Sequence, residues 1–296
     1  MTEELSFSFT SEKTLDKLGV PADSELRQAI PIMNPLTDEY PLIRTTLLTS
    51  VLENASRNVA RKNMDLRLFD IAPVFFPKAL PITELADEKL MVAGLITGRR
   101  NPIAWDTDNA MADFYDLKGI VERFLTAIGV SKYTVERGEH FAMHPGKTAL
   151  FKKGRDVIAI LGEIHPSVAA NFDIPQSVCV FEMEVDTLLR YRKKRSAIAA
   201  LPKYPASTRD LAVLVDAGLT TAEIERVIAK KGGKFFRGAT LFDVYTGKQV
   251  ESGKKSMAFH LHFQSDDKTL TDEEVDAAFA DILAAAQSQL HAQLRA

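Results

Sequence analysis

Four side chains near the middle of the chain are of the types that bind metals or catalyse hydrolysis. His140 and His144 have the spacing of two ligands on one helical face, and Glu163 and His165 follow downstream. Pro145 argues against a stable helix at this point, and the sequence contains no HExxH motif. We therefore interpret these residues as turn histidines and predict no metal site. A metal-dependent hydrolase that uses His140, His144 and His165 is kept as an alternative.

Two further segments imitate catalytic motifs but lack a required residue. Gly146, Lys147 and Thr148 match the end of a phosphate-binding loop, yet Phe141 stands where that loop needs its first glycine. The single cysteine, Cys179, lies in an apolar, strand-like segment, where we expect a buried and inert thiol. A GxSxG motif for a serine nucleophile is also missing. We therefore predict no catalytic residues in this chain.

Four residues in the last third of the chain have side chains that suit unpaired nucleic-acid bases. The ring of Tyr245 can stack on a base. Asp243 and Ser256 can hydrogen-bond to base edges, and Ala212 allows close approach. The alternative is that these residues belong to the polar, solvated face that antiparallel sheets ordinarily have. The sequence pattern leaves both interpretations open.

The alternation of side chains along strands places these residues on one predicted sheet face. In the strand at 256–263 the odd-numbered residues are apolar and face the core, so the even-numbered residues face away: Ser256, Ala258, His260 and His262. In the strand at 241–245 the same rule buries Phe242 and Val244. It leaves three residues outside, namely Leu241, Asp243 and Tyr245. On the strand at 210–215, Ala212 lies outside as well.

Basic residues near this face are candidates for contacts with RNA phosphates. The four candidates are Lys203, Arg209, Lys254 and Lys255. Residues 190–209 contain seven basic side chains, including Lys194 and Arg195, and no acidic one. The alternative interpretation of that stretch is a solvated linker between domains. A second run without acids comprises Arg226, Lys230, Lys231, Lys234 and Arg237.

Composition limits the classes of function. The 296 residues include 37 basic and 40 acidic side chains, for a net charge of -3, so no global positive field marks a nucleic-acid-binding protein. Such a partner must be held by local patches. The single cysteine excludes an intramolecular disulfide and favours the reducing cytoplasm. No apolar run approaches the ~20 residues that cross a bilayer. We therefore predict a cytoplasmic protein with no membrane partner.

The spacing of apolar residues predicts two domains with a boundary near Leu201. Residues 1–195 form an α+β domain on a largely antiparallel sheet, with helices at 43–61 and 116–128 and strands at 65–76, 90–97, 157–161 and 178–185. Residues 201–296 have the order βαββα with a short last strand at 292–295. Capping boxes at Thr220 and Thr271 begin the two helices. This order predicts a ferredoxin-like βαββα(β) sandwich with both helices on one sheet face.

Motifs along the whole chain resemble those of the bacterial phenylalanyl-tRNA synthetase beta subunit. The motifs similar to its catalytic-like module are Asn34-Pro35-Leu36-Thr37, Leu42-Ile43-Arg44-Thr45-Thr46-Leu47-Leu48, Arg67-Leu68-Phe69-Asp70-Ile71, Asp113-Phe114-Tyr115-Asp116-Leu117-Lys118-Gly119, His144-Pro145-Gly146-Lys147 and Leu161-Gly162-Glu163-Ile164-His165-Pro166. Those similar to its ferredoxin-fold anticodon-binding domain are Pro202-Lys203-Tyr204-Pro205, Thr208-Arg209-Asp210-Leu211-Ala212, Leu241-Phe242-Asp243-Val244-Tyr245 and Thr269-Leu270-Thr271-Asp272-Glu273-Glu274-Val275.

The resemblance implies a role in attaching phenylalanine to its tRNA, through an ATP-dependent (αβ)₂ enzyme whose active site lies in the alpha subunit. The first domain then looks like an inactive class II synthetase module that serves assembly. Its sequence Arg67-Leu68-Phe69-Asp70 replaces the arginine, one residue, glutamate pattern of the family's ATP sites. The helix at 43–61 corresponds to the class II interface helix, and its apolar stripe is expected to join the core of the assembly.

The resemblance also places the anticodon-reading face on Ala212, Asp243, Tyr245 and Ser256, the residues that strand alternation leaves outside. The expected partners are the alpha subunit and tRNA(Phe). The chain is expected to be a carboxy-terminal fragment that binds no cofactor itself, whereas the whole enzyme uses ATP and Mg²⁺. Alone, it should neither aminoacylate nor edit. A free-standing RNA-binding regulatory module is kept as an alternative.

Overall fold

The computed structural model describes residues 1–193, 201–247 and 250–294. The chain divides into two compact units, Met1–Ser196 and Ala197–Ala296. Each unit combines helices with a β-sheet, which gives a mixed α+β protein. Lys194 and Arg195 of the basic stretch lie outside the described residues. Within the described ranges, no helix has the length and apolar character needed to cross a bilayer.

The first unit is built on a seven-stranded sheet. The strands of this unit, including two that form a small separate sheet, are in chain order Thr2–Glu3 (β1), Phe9–Thr10 (β2), Leu42–Ile43 (β3), Leu66–Phe76 (β4), Asp87–Thr97 (β5), Thr134–Arg137 (β6), Met143–Lys153 (β7), Asp156–Ile164 (β8) and Val178–Glu184 (β9). The strands β2 and β3 pair with each other, and the other seven have the order β1-β4-β5-β9-β8-β7-β6. All neighbours in this sheet are antiparallel except β1 and β4.

Helices cover both faces of this sheet. They are Glu12–Leu18 (α1), Leu48–Ala60 (α2), Phe114–Ala127 (α3), Pro166–Asn171 (α4) and Val185–Tyr191 (α5). Residues of β5 alternate between two cores: Ala93 and Leu95 pack with α1, α2 and α4. Val92 and Ile96 pack with α3 and α5. The central strands are buried on both sides, which is why their sequences are almost entirely apolar.

The helix α2 starts later than predicted and packs against a different part of the protein than predicted. It begins at Leu48, because the preceding residues are extended and their amides are bonded elsewhere: Ile43 N donates to Ile30 O and Arg44 N donates to Ser8 O, both at 2.9 Å. Its apolar stripe is buried inside the unit at Leu48, Val51, Leu52 and Ala55. The expectation that this stripe joins the core of a larger assembly is therefore wrong.

The strand β7 passes through Pro145 and Gly146, where the sequence indicated a turn. Its pairing with β8 jumps from Met143 opposite Ile164 to Thr148 opposite Gly162. A bulge of this kind accommodates a proline and a glycine within a strand. The expected turn is therefore an irregularity inside the sheet.

Glu4 is a buried carboxyl group that links the first residues to α2. Its amide donates to Phe69 O at 2.8 Å, and one carboxylate oxygen accepts a hydrogen bond from Asn54 Nδ2. The other oxygen, Oε1, is buried with no hydrogen-bond partner among the described residues. Burial raises the pKa of Glu4 from 4.5 to about 7, and the hydrogen bond from Asn54 opposes this shift.

We expect Glu4→Gln to change how stability depends on pH. Because the pKa is higher in the folded state, that state binds more protons, and stability falls as pH rises from about 4.5 to about 7. Glutamine cannot ionise, so the variant escapes this loss. The difference in free energy of unfolding between variant and wild type should therefore be more favourable to the variant at pH 8 than at pH 4.5, by on the order of 2–3 kcal/mol. Urea unfolding at both pH values measures this, with Glu3→Gln at the exposed neighbour as control. Identical pH profiles for Glu4→Gln and wild type would contradict the prediction.

The second unit has the predicted order of elements. These are Ser207–Asp216 (β10), Thr221–Lys231 (α6), Phe236–Tyr245 (β11), Lys254–Phe263 (β12), Asp272–Leu290 (α7) and Gln293–Leu294 (β13). The antiparallel sheet has the order β11-β12-β10-β13. Both predicted capping boxes are present, at Thr220 with Glu223 and at Thr271 with Glu274. Arg295, at the end of the predicted last strand, lies outside the described residues.

Both helices of this unit pack on one face of the sheet. Ile224 and Ile228 of α6 and Ile282 of α7 are fully buried in the same cluster as Leu211 and Phe259. The predicted inward residues of β10 and β12 are confirmed, since each is at most 2% exposed: Leu211, Val213, Val215, Met257, Phe259, Leu261 and Phe263.

The strand β11 breaks the predicted alternation. Leu241 pairs with Phe259 and Asp243 pairs with Ala258, so Phe242 is an extra residue in a β-bulge. Leu241 packs against the core, whereas Phe242 is 50% exposed and its ring stacks on His260 of the opposite face. The predictions that Phe242 lies inside and Leu241 outside are therefore wrong. Val244, also predicted to be buried, is 50% exposed. Strict alternation of side chains requires an unbroken hydrogen-bond ladder between strands. The bulge interrupts that ladder, so the successive side chains of Phe242 and Asp243 point to the same face, away from the helices.

Candidate functional site

The sheet face opposite α6 and α7 is the candidate site, and we call it the open face. It is formed by alternate residues of three strands: Asp210, Ala212 and Leu214; Thr240, Phe242, Asp243 and Tyr245; and Ser256, Ala258, His260 and His262. Ala212 and Asp243 both lie opposite Ala258, on its two sides, and Tyr245 lies opposite Ser256. The structure thus brings the four residues predicted from the sequence onto one face.

These four residues differ in how far they reach solvent. Asp243 is exposed, and Ala212 and Tyr245 are half-buried. Ser256 is only 3% exposed, because it stands on β12 in the middle of the sheet. Its hydroxyl is therefore less accessible to a ligand than the carboxylate of Asp243. Among these four residues, Asp243 offers an exposed acceptor and Tyr245 an aromatic ring.

The ring of Tyr245 lies against the turn that follows β11. A Cβ atom at Gly247 would stand 2.2 Å from Tyr245 Oη, so only glycine allows the phenol to lie there. This requirement ties the sequence of the turn to the position of the ring. No cue in the local sequence distinguishes it from an ordinary turn glycine.

Two other aromatic rings of the open face stack on each other, Phe242 of β11 and His260 of β12. The centroids of Phe242 and His260 are 4.0 Å apart, and their planes differ by 14°. His260 Nδ1 lies 2.6 Å from Asp210 Oδ1, and His262 Nε2 lies 3.2 Å from Thr240 Oγ1. The sequence did not single out Phe242 or Asp210, because the bulge that exposes one and the cross-strand bond that uses the other are both nonlocal.

The four phosphate-contact candidates have different surroundings. Lys203 is exposed near the start of the second unit. Arg209 is held by two carboxylates of α7, with Nη2 2.8 Å from Asp272 and Nε 2.8 Å from Asp276. Lys254 forms an ion pair of 2.8 Å with Glu251 on the same loop. Lys255 Nζ donates to Leu219 O at 2.5 Å. Three of the four cations therefore already have protein partners.

The helical part of the basic run at 226–237 does not flank the open face, which corrects the expectation from sequence. Arg226, Lys230 and Lys231 belong to α6, and α6 packs on the other side of the sheet. Lys234 Nζ lies 4.6 Å from the centroid of Phe235, and Arg237 pairs with Asp266 at 2.9 Å. Basic residues that have no acidic neighbour in the sequence thus contact acidic and aromatic side chains in the folded protein.

The histidines of the first unit are structural in this fold. His140 Nδ1 accepts from Ala142 N at 3.3 Å, His144 Nδ1 accepts from Gly146 N at 3.0 Å, and His165 Nδ1 accepts from Ser167 N at 3.3 Å. Burial lowers the pKa of His140 to about 4, so it is neutral at physiological pH. Across the described ranges, no three potential ligands stand close enough to hold a metal ion.

Cys179 and Glu163 also lack the surroundings of catalytic groups. Burial raises the pKa of the Cys179 thiol to about 12, which keeps it protonated and unreactive. Glu163 forms an ion pair with Lys147 at 2.6 Å. The prediction of a buried, inert cysteine is therefore confirmed.

Comparison with known proteins agrees with this architecture. Residues 1–185 match the family model described as phenylalanyl tRNA synthetase beta chain CLM domain, and residues 202–295 match that of the ferredoxin-fold anticodon binding domain. The phenylalanine–tRNA ligase beta subunit of Syntrophotalea carbinolica is 38% identical over 99% of this chain and 36% of its own length. That of Clostridium acetobutylicum is 38% identical over 100% of this chain and 36% of its own length.

The chain spans about a third of the length of these relatives, since 36% of each is covered. A solved pyrrolysyl-tRNA synthetase from Desulfitobacterium hafniense aligns over 64% of this chain and 62% of its own, with a TM-score of 0.48 and 14% identity. That similarity is too low to bear on the fold. The two family models together cover nearly the whole chain, and the first alone covers more than half of it. The chain therefore belongs to the phenylalanyl-tRNA synthetase beta chain family.

Proposed function

We propose that this chain is the non-catalytic part of a phenylalanine–tRNA ligase beta subunit that supports the (αβ)₂ enzyme and binds the anticodon of tRNA(Phe). The enzyme acts in the cytoplasm during ATP-dependent aminoacylation. The observation that carries the proposal is the open face of a ferredoxin-fold anticodon-binding domain, with Tyr245 and Asp243 presented beside the small Ala212.

On this face, each residue has a distinct role in binding an unpaired base. The ring of Tyr245 stacks on the base, and the exposed carboxylate of Asp243 accepts a hydrogen bond from a base N–H group. Ala212 and Ala258 leave room for the base to approach the sheet. Ser256, buried opposite Tyr245, supports the ring from the neighbouring strand.

Phosphate contacts fit Lys203 and Lys254 better than the other two candidates. Lys203 is exposed, and the pair between Lys254 and Glu251 is a surface pair that solvent screens, so a phosphate can replace Glu251. Arg209 would have to leave two carboxylates. Lys255 would have to leave a carbonyl oxygen. We keep Arg209 and Lys255 as secondary candidates.

The first unit does not fit an ATP or Mg²⁺ site, and we assign it no catalytic step. Asp70 is 2% exposed, lies 3.8 Å from Arg44 Nη1, and accepts a hydrogen bond from Ser6. A guanidinium nitrogen of Arg67 donates to the carbonyl of Arg100. A carboxylate that is buried and already neutralised cannot ligate Mg²⁺ from solvent. ATP and Mg²⁺ therefore belong to the alpha subunit in this proposal.

Exposed apolar residues of the first unit are candidate contacts for the alpha subunit. Six of them are at least 81% exposed: Leu5, Phe7, Met33, Leu36, Leu85 and Trp105. Exposed apolar residues that cluster on a surface are typical of protein interfaces. Co-elution with the alpha subunit separates this role from that of a free-standing RNA-binding module, which would elute alone.

Binding of the tRNA(Phe) anticodon stem-loop tests the proposal directly. We expect Tyr245→Ala to weaken binding by about 1–3 kcal/mol, because base–aromatic stacking contributes that much per base. Tyr245→Phe keeps the ring and should retain most of the affinity. Fluorescence anisotropy at fixed salt measures both variants, and circular dichroism confirms that they fold. Equal affinity of a folded Tyr245→Ala variant and wild type would remove Tyr245 from the site.

A further inference from the structure

Phe242 is an aromatic residue of the open face with no role in the core. The bulge in β11 places its side chain on the same face as Asp243, and it is 50% exposed. A half-exposed ring keeps apolar area that a stacked ligand can remove from water, and burial of that area is favourable.

One side of the Phe242 ring is supported by a residue of the neighbouring strand. His260 covers that side at 4.0 Å between centroids, with the two planes 14° apart. Asp210 Oδ1 lies 2.6 Å from His260 Nδ1, so the imidazole donates its Nδ1–H to the carboxylate and cannot rotate freely. Phe242 is therefore held in a fixed position before a ligand arrives, which lowers the entropic cost of binding.

We propose that Phe242, supported by His260, is a second stacking platform that holds an unpaired RNA base different from the one on Tyr245. Three residues of extended strand separate the two rings by roughly 10 Å. A single base cannot stack on both at that separation. This inference rests on the proposed function and adds a second base to it.

The surroundings of Phe242 favour a base over an apolar partner. Besides the small Ala212 and Ala258, the residues around it on the face are polar or charged, namely Asp210, Thr240, Asp243 and His262. A nucleobase has flat apolar sides and hydrogen-bonding edges, which matches one ring inside a polar rim. An apolar helix or strand would instead remove the exposed carboxylates of Asp210 and Asp243 from water, which is unfavourable.

The test combines variants of Phe242 with a scan of abasic positions in the tRNA(Phe) anticodon stem-loop, using the full chain. Phe242→Leu removes the ring but keeps an apolar side chain, and we expect it to lower affinity by about 5- to 150-fold. Phe242→Tyr should restore the affinity. Removing the base that stacks on Phe242 should weaken binding of the stem-loop to wild type but hardly change its binding to Phe242→Leu. Removing a different base, the one that stacks on Tyr245, should weaken binding to wild type but hardly change binding to Tyr245→Ala.

Val244→Ala is the matched control. Val244 lies on the same strand and is also 50% exposed, but it pairs with Met257 and faces the helices. The variant Val244→Ala should bind the stem-loop with wild-type affinity. If wild type binds and Phe242→Leu binds equally well, the second platform is wrong and the proposed function stands. If Phe242→Leu loses affinity without coupling to any one position, its role is structural. If wild type itself does not bind, the proposed function fails and the inference fails with it.

Discussion

Arg44→Met is expected to lower the free energy of unfolding of the first unit by about 3–5 kcal/mol, because it leaves a carboxylate buried without its cation. Arg44 is 1% exposed and lies between three segments of the chain. Its Nε donates to Pro73 O at 3.0 Å, and its Nη1 donates to Ser6 Oγ at 2.6 Å and to Phe7 O at 3.2 Å. Methionine preserves much of the side-chain volume and removes all three bonds.

The charge balance around Arg44 explains the size of this effect. Burial lowers the pKa of Arg44, and the nearby Asp70 opposes the shift. Asp70 itself is 2% exposed, and after the substitution only the hydroxyl of Ser6 remains beside it. The buried pair is separated by 3.8 Å, yet its disruption should cost more than loss of a shorter surface pair.

Two comparisons give this prediction a control. Lys147→Met removes an ion pair of 2.6 Å whose lysine side chain is 50% exposed, and it should cost about 0–1 kcal/mol. The double variant Arg44→Met with Asp70→Leu removes both buried charges and should recover part of the loss. Urea unfolding followed by circular dichroism measures all three. A loss below about 1 kcal/mol for Arg44→Met would show that the buried carboxylate is not an uncompensated charge.

Glu182→Ala is expected to destabilise the first unit by about 2–4 kcal/mol, since it removes the carboxyl group that caps the start of α2. Leu47 at the N-cap position makes no capping hydrogen bond, and the local sequence contributes only Thr46 Oγ1, which accepts from Leu48 N at 3.1 Å. Glu182 of β9 completes the cap: its Oε1 accepts from Thr46 Oγ1 at 2.8 Å and from Leu47 N at 2.9 Å. Burial raises the pKa of Glu182, and the hydrogen bond from Leu47 N lowers it.

Glu182→Gln separates the hydrogen bonds from the charge. The amide oxygen of glutamine can accept the same two hydrogen bonds, so this variant should lose less than half of what alanine loses. Hydrogen exchange gives a local measurement, in which the amide of Leu47 should lose protection in the alanine variant and keep it in the glutamine variant. Equal losses in the two variants would assign the effect to charge instead of hydrogen bonding.

Regular elements of this chain could be predicted from the sequence because their signals are local. The alternation in Ser256–Phe263 and the two capping boxes depend on residues a few positions apart. The inward residues of β10 and β12 follow from the same alternation, since both strands are unbroken along their mutual pairing. The order of the second unit follows in turn, because each helix begins and ends at a residue visible in the sequence.

The features that the sequence did not predict depend on contacts between distant residues. The bulge at Phe242 has no glycine or proline to mark it, and it reverses the inward and outward positions at Leu241 and Phe242. Arg209 belongs to a stretch without acids, but α7 brings Asp272 and Asp276 to it. Partners of this kind are set by the tertiary structure, so composition near a residue does not reveal whether that residue is available to a ligand.

The cap of α2 also affects the synthesis of the chain. Leu47 precedes Glu182 by 135 residues, so α2 leaves the ribosome long before its cap is made. At ~5–20 residues per second the delay is roughly 7–30 s. The same strand, β9, also joins β5 to β8 in the sheet. From the synthesis of β5 until that of β9, one apolar edge of β5 has no neighbour, and the nascent first unit is then most exposed to aggregation and most in need of a chaperone.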